Sequence, residues 1–388
     1  MSRTLVGRMD RPASARAPET AWRMLRSFDW AMTAALVAAV LFGVAMVHSA
    51  TLRGGAATVW WEDYVYKQLA FAAAGLLLYA LVSASDYRTL AAFAGPLYGL
   101  FVASLVVVLA VGVTVLGARR GFQLGVLTIQ PGEMMKVVMI VALAAYYSRF
   151  DVRDPRALLG AIVLIAVPVG LILKQPNLST AIVLCFIWLG MTFAAGVRPL
   201  HVGLMALAAG PALYAAMALG VVKTYQLYRV VILFFPDFDP SDLGYQNHQT
   251  LIAVGNGGWT GIGFANGSQS QGGWLPLLHS DNIYALVAEE LGMVGGIVVL
   301  LLLGYIVLRI LQTAGTALDR TGALICTGVA TYLFAQSLIH IGVVLHVVPP
   351  TGLSLPFISY GGSSLLTAMV ALGLVQSVRM CRRPLEFS

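Results

Sequence analysis

Ten separate stretches of this chain each run for roughly twenty residues with almost no charge, the length of helix needed to cross the hydrocarbon of a bilayer. They fall at about 30–50, 68–84, 91–116, 133–148, 157–173, 178–196, 201–221, 284–308, 321–345 and 362–378. No ordinary core can hide so much apolar surface: 59% of the 388 residues are hydrophobic and 11% are charged, against about a quarter charged in soluble domains. In lipid, backbone polar groups must be satisfied within the segment, so these runs read as helices. The pattern excludes a soluble enzyme, a disordered chain and a fibrous repeat. The first run is not read as a cleavable leader: it is too long, and His48 occupies the −3 position of the nearest small-residue cleavage site, at Ala50.

The expected fold is an all-α polytopic membrane protein of about ten transmembrane helices, with both termini cytoplasmic and one long extracytoplasmic loop. With a cytoplasmic N-terminus, 16 of the 24 Lys and Arg fall on the cytoplasmic side, and the reverse topology would invert that bias. The net charge of +7 is therefore mostly a topology signal, and no nucleic-acid partner is expected. Residues 1–28, rich in Arg, Ala and Pro, read as a disordered cytoplasmic tail. Residues 29–380 form the ten-span domain, with its long outer loop at about 222–283, and 381–388 form a short cytoplasmic tail. Cys185, Cys326 and Cys381 show neither metal-ligand spacing nor a disulfide framework.

The outer side holds few charges, placed unusually. Gly117-Ala118-Arg119-Arg120 leaves the third span, and Gln130 to Lys136 opens the fourth. Pro131 fits a helix start. Glu133 and Lys136 share a helix face at i, i+3. They read either as an interfacial ion pair that fixes helix depth or as part of a polar cavity opening outward. Lys174 ends the fifth span, after which Asn177 or Ser179 can cap the sixth. In the long loop, Tyr225 to Phe235 reads as an interfacial or re-entrant helix interrupted by Gln226 and Arg229. His248 to Val254 reads as another short helix. The glycine-dense Gly255 to Gly263 permits close approach to a ligand. His279-Ser280-Asp281-Asn282 closes the loop, with Asp281 either a helix cap or a reactive carboxylate. Glu289 and Glu290 lie deeper and need partners. Pro349 to Ser364, which includes Ser359 and Ser363, cannot be regular helix exposed to lipid. It must be buried in protein or line a cavity.

In their order along the chain these motifs resemble the RodA/FtsW/SpoVE family of cell-shape, division and sporulation proteins, called SEDS. The resemblance runs from Asp29-Trp30 through Asp86-Tyr87-Arg88, Gly117 to Arg120, Gln130 to Lys136, Gln175 to Thr180 and Gly244-Tyr245-Gln246. It continues through Ile252 to Gly258, the His279 to Asp281 turn, Glu289 to Gly292 and Pro356 to Leu366. Asn266 to Gln271 is most like the RodA, cell-elongation branch. The chain departs from the family pattern at Gly121, Gly132, Asn177, Leu277, Ser280 and Asn282, while Asp281, Glu133, Lys136 and Arg120 remain.

The resemblance implies a peptidoglycan glycosyltransferase that polymerises lipid II into β-1,4 glycan strands on the outer face of the bacterial cytoplasmic membrane. It implies a class B penicillin-binding protein and other cell-elongation proteins as partners, and a divalent cation, Mg²⁺ or Mn²⁺, whose ligands the sequence does not identify. The family's essential aspartate falls on Asp281, read as the catalytic base for the acceptor 4-hydroxyl. Residues read as substrate-binding are Arg119, Arg120, Glu133, Lys136, Lys174, His279, Ser280, Ser359 and Ser363. Arg119, Arg120 and Lys136 would bind pyrophosphate oxygens, and Glu133 would orient Lys136 or help hold a cation. Two other readings stay open: a flippase for lipid II, which would move substrate without joining it, and a non-catalytic scaffold, which would tolerate Asp281→Asn.

Overall fold

The computed structural model of the protein describes residues 27–52, 63–115, 118–124, 127–218, 220, 224–235, 243–275 and 277–381. Apart from residues 27, 28 and 381, the expected tails at 1–28 and 381–388 lie outside the described residues. Helices coincide with all ten apolar runs: α1 (Trp30–Thr51), α2 (Tyr64–Ala84), α4 (Ala94–Val111), α5 (Pro131–Arg149), α6 (Pro155–Lys174), α7 (Leu178–Ala194), α8 (Pro199–Ala218), α12 (Ile283–Gly315), α13 (Arg320–Val344) and α14 (Gly362–Met380). Shorter helices are α3 (Tyr87–Ala92), α9 (Thr224–Phe234), α10 (Leu243–Gly257) and α11 (Ser268–Gly272). Among the described residues, seven helices are long and apolar enough to cross a membrane by length and composition, and α7 is a shorter apolar helix. The protein is an all-α, multi-pass membrane protein.

The helices alternate in direction, so their ends gather in two groups. At the terminal end lie Asp29, the start of α3, the α5–α6 and α7–α8 turns, and the end of α14. Arg88 Nε meets Asp319 Oδ2 there at 3.0 Å, and the Tyr87 N–H donates to Ser377 Oγ at 3.1 Å. At the loop end lie α9 to α11 and the segments that precede α5, α12 and α14. α5, α13 and α14 are buried along most of their length. The outer helices turn large apolar side chains outward, as lipid permits: Leu77, Leu100, Leu159 and Leu301 are exposed.

With so few charges available, their use is informative. Asp29, Asp63, Asp86, Asp154 and Asp319 are N-caps, each accepting a backbone N–H at 2.7–3.1 Å; a cap of this kind stabilises a helix by about 1 kcal/mol. Asn177 caps α7 through Thr180 N at 3.2 Å. Asp281 is not a cap: the N-cap of α12 is Asn282, with no side-chain cap bond.

Two local structures depart from expectation. The third run does not continue as helix to 116. Gly112 ends α4, and the β-branched Val113–Val115 is strand β1, pairing antiparallel with β2 (Ala118–Leu124), which pairs with β3 (Leu127–Ile129). A Cβ at Gly121 would come 2.8 Å from Ile129 O, so a large side chain there would force the strands apart.

The glycine-dense segment approaches α12 itself. Gly292, at φ +67° and ψ −166°, breaks that helix. The freed carbonyls of Glu289 and Glu290 accept from Ile262 N and Gly263 N at 3.1 and 3.0 Å, while Met293 N and Val294 N donate to Gly258 O and Trp259 O. A Cβ at Gly257 or Gly261 would collide with the α12 backbone. Broken helix survives in a membrane only where such exchange satisfies its groups.

Candidate active site

α5 begins with Pro131 in its first turn, which sets Glu133 and Lys136 one turn apart. Lys136 Nζ donates to Glu133 Oε1, Glu133 Oε2 and Gln336 Oε1 of α13, each at 2.9 Å. It also lies 5.3 Å from the Tyr332 ring centre. Thr180 Oγ1 donates to Glu133 Oε1 at 3.4 Å. Lys136 is fully buried, so a pair that merely sets helix depth at the interface does not describe it. A buried pair is tolerable only when its remaining hydrogen-bonding capacity is met, and Gln336 meets part of it. That amide is itself fixed, donating to Ser354 O at 2.8 Å.

The turn before α12 is built on Leu277, whose carbonyl accepts from Ser280 N and Asp281 N at 3.1 and 3.0 Å. Leu277 holds φ +50°, a left-handed conformation that costs a non-glycine residue about 1–2 kcal/mol. The turn places Asp281 on the common wall of two cavities. The first, of about 330 Å³, is lined by Glu133, Thr180, His279, Ser280, Ser363 and Asp281, among others. The second, of about 250 Å³, is lined by Arg229, Gln246, Asn247, His340, Thr351 and Asp281, among others. Leu277, Gly352 and Leu353 also belong to both. A Cβ at Gly352 would stand 3.2 Å from Asp281 Oδ2, so the glycine keeps the carboxylate uncrowded.

His279 stacks on Tyr64, ring centres 4.3 Å apart, and meets Tyr360 edge-on at 5.4 Å. Burial lowers its pKa from the ordinary histidine value. Burial, followed by the nearby Tyr64, pushes the Tyr360 phenol up to about 12. Ser363 Oγ accepts from Gln130 N at 3.1 Å and donates to Thr128 O at 2.9 Å, tying β3 to α14 at the wall of the first cavity. Ser359 is buried and its hydroxyl accepts from Leu355 N at 2.8 Å; it holds the turn and lines neither cavity. Lys174 is exposed at the end of α6 and also lines neither. Arg119 and Arg120 lie on β2, but their side chains fall outside the described residues.

The deep carboxylates have structural partners. Glu289 accepts from Ser268 Oγ, Gln269 N and Ser270 N, so it satisfies the first turn of α11. Glu290 accepts from Ser49 Oγ of α1 at 2.5 Å. Sequence reasoning names Arg229 only as an interruption of an apolar run and does not single out His340 or Gln336. An arginine within an apolar interfacial run and a histidine inside a span were available signals.

For a divalent cation the donor set is sparse. Among the described residues no group of three His, Cys, Asp or Glu converges, and Glu133 is engaged by Lys136. Mg²⁺ commonly binds one or two carboxylates and completes its shell with substrate phosphates and water. Among the described residues, Asp281 and Glu133 are the carboxylates that line the two cavities.

The FtsW/RodA/SpoVE family, described as cell cycle proteins, matches residues 29–384. A probable peptidoglycan glycosyltransferase FtsW of Geobacter sulfurreducens is 35% identical over 364 residues, covering 91% of this chain and 95% of its own. Peptidoglycan glycosyltransferase MrdB of Escherichia coli K12 is 34% identical over 318 residues, covering 81% and 85%. Among solved structures, a chain from a peptidoglycan synthase complex that coordinates polymerization and crosslinking superposes with a TM-score of 0.76 at 33% identity, covering 91% of this chain and 97% of that one. The rod shape determining protein RodA of Thermus thermophilus superposes with a TM-score of 0.66 at 30% identity, covering 91% and 96%.

Proposed function

This chain belongs to the FtsW/RodA/SpoVE family of cell cycle proteins, and from that membership we infer that it is a peptidoglycan glycosyltransferase of cell elongation and shape. Its substrate is lipid II, the polyprenyl-pyrophosphate-linked disaccharide-pentapeptide. The observation that carries this reading is the position of Asp281 on the wall shared by two cavities. Joining two lipid-linked sugars requires both at once, with a base between them.

The reaction is a single displacement with inversion. Asp281 takes the proton from the acceptor 4-hydroxyl. The acceptor oxygen bonds to the donor's anomeric carbon as the bond from that carbon to the pyrophosphate oxygen breaks, and the electron pair leaves with the pyrophosphate. The α-linkage of the donor becomes the β-1,4 bond of the polymer. Lys136 acts through Glu133: with three acceptors around its ammonium, it holds the Glu133 carboxylate at the wall of the first cavity. Mg²⁺ or Mn²⁺ carried in with pyrophosphate would be held by Asp281 and would neutralise charge on the leaving group.

The loop end faces outward from the bacterial cytoplasmic membrane. This orientation rests on the Lys and Arg bias, which sets the termini in the cytoplasm. A class B penicillin-binding protein is the expected partner, supported by the likeness to a synthase complex in which polymerization and crosslinking are coordinated. The test uses the full chain in proteoliposomes with fluorescent lipid II, with and without the transpeptidase and with and without a chelator. Polymer on a gel is expected. Transbilayer movement of lipid II without polymer would replace this reading with a flippase, and neither outcome in any arm would leave a scaffold.

A further inference from the structure

We propose that the second cavity seats the sugar–pyrophosphate of the lipid-linked donor, with Arg229 binding the pyrophosphate and His340 accepting a hydrogen bond from the sugar. The proposal rests on the glycosyltransferase reading and assigns the two cavities different tasks.

His340 is the first observation. It is 2% exposed, and its Nδ1 lies 2.6 Å from Leu353 O. A carbonyl only accepts, so Nδ1 carries the proton and Nε2 presents a bare lone pair. Among the described residues that Nε2 has no partner, and the residue lines the cavity. A buried acceptor left unmet is costly. A ligand O–H or N–H satisfies it, and sugar hydroxyls and N-acetyl groups supply both.

Arg229 is the second. It stands on α9, whose Tyr228, Val230 and Phe234 are exposed while Ile232 is buried. A helix with that apolar outer face rests at the membrane boundary, where a polyprenyl chain stays in lipid while its head group passes beneath. Arg229 reaches inward, with Nη1 donating to Pro350 O at 2.9 Å. Among the described residues it is the Lys or Arg that lines a cavity together with Asp281. Lys136 lines neither cavity, and its ammonium donates to Glu133 and Gln336. The remaining polar wall is neutral, with Gln246, Asn247, Thr250 and Thr351. With the Asp281 carboxylate kept for the acceptor hydroxyl, the Arg229 guanidinium and these neutral hydrogen-bonding groups suit an anion joined to a sugar. The first cavity is lined by the Glu133 and Asp281 carboxylates and, among the described residues, by no Lys or Arg, which suits the uncharged end of an acceptor glycan.

The test measures binding by the full-length protein in neutral nanodiscs. One probe is a short-chain polyprenyl pyrophosphate, and the other is the same chain carrying the disaccharide-pentapeptide. Arg229→Ala should weaken both probes by about ten- to a hundredfold, the scale of charge-assisted hydrogen bonds, and Arg229→Lys should recover part of the loss. His340→Phe should weaken the sugar-bearing probe by about three- to tenfold and leave the bare probe unchanged. Melting temperature is read alongside. Should His340→Phe fail to fold, the Arg229 pair decides the question. Wild-type binding of both probes by a folded Arg229→Ala variant overturns the proposal, as does an equal loss of both probes in His340→Phe. Polymerisation with a wild-type KM in Arg229→Ala would remove this site while leaving the activity intact. A wild-type protein that binds the probes yet makes no polymer would remove the activity and leave the pyrophosphate site.

Discussion

Each end of the molecule buries a carboxylate among cations, and the two arrangements differ in what they join. At the terminal end, Asp29 of the α1 cap meets Arg309 of α12 at 2.6 Å and Arg379 of α14 at 2.7 Å. It binds three helices that are remote in sequence, and it lines neither of the two cavities at the loop end. At the loop end, Glu133 pairs with Lys136 on its own helix, a link that joins no helix to another. The pair's ties to other helices go to neutral partners, Lys136 donating to Gln336 and Glu133 accepting from Thr180, and the Glu133 carboxylate faces a cavity. A clamp saturates its charges across elements, whereas a site holds its charges within one element and leaves room beside them.

That contrast can be broken by mutation. Lys136→Ala strands the Glu133 carboxylate and should cost about 3–5 kcal/mol of stability, the usual cost of unpairing a buried ion pair. Glu133→Gln with Lys136→Met should regain most of that stability without regaining polymerisation, because the Glu133 carboxylate is gone from the cavity wall. Asp29→Ala should cost about 3 kcal/mol, since Arg309 and Arg379 are each less than a quarter exposed. Its polymerisation rate per folded molecule should match wild type. Denaturation in detergent and the polymer gel check both predictions; a clamp variant that stays folded but inactive would erase the distinction.

A smaller effect separates the two ends by pH. Burial lowers the pKa of His279 below its unfolded value of about 6.5. Its contribution is therefore complete above that pH and is lost as pH falls through the lowered value. For Asp29, burial alone pushes the carboxyl up. The hydrogen bonds from Arg309 and the Met32 N–H, with the Arg379 and Arg309 charges, outweigh it and hold the carboxyl below its ordinary range. Its contribution persists until pH falls below about 4. Melting temperature against pH should fall in two steps, and His279→Phe should remove the less acidic one.

The ten helices were legible because each carries its own apolar run, and Pro131 and Asn177 gave local starting signals. The β1–β2–β3 hairpin was not: Val113–Val115 prolongs an apolar run, and only pairing with Ala118–Leu124 decides for strand. Gly255–Gly263 reads as ligand-facing until Gly292 breaks α12 and supplies the backbone those glycines approach. For the same reason Asp281 cannot be told from a cap until Asn282 occupies that position. Glu133 and Lys136 were found because i, i+3 spacing is local. The second cavity was missed because Arg229, Gln246, Asp281, His340 and Thr351 meet only through folding.

The measurement that bears most directly on this account is the rate of lipid II polymerisation by purified Asp281→Asn, beside wild type and Asp29→Ala. Loss of a general base costs about 10²–10⁴ in rate. Asp281→Asn should therefore make no visible polymer while melting like wild type, and Asp29→Ala should polymerise at the wild-type rate per folded molecule. Normal polymer from folded Asp281→Asn would contradict the claim that the wall between the two cavities is where the glycosidic bond is made.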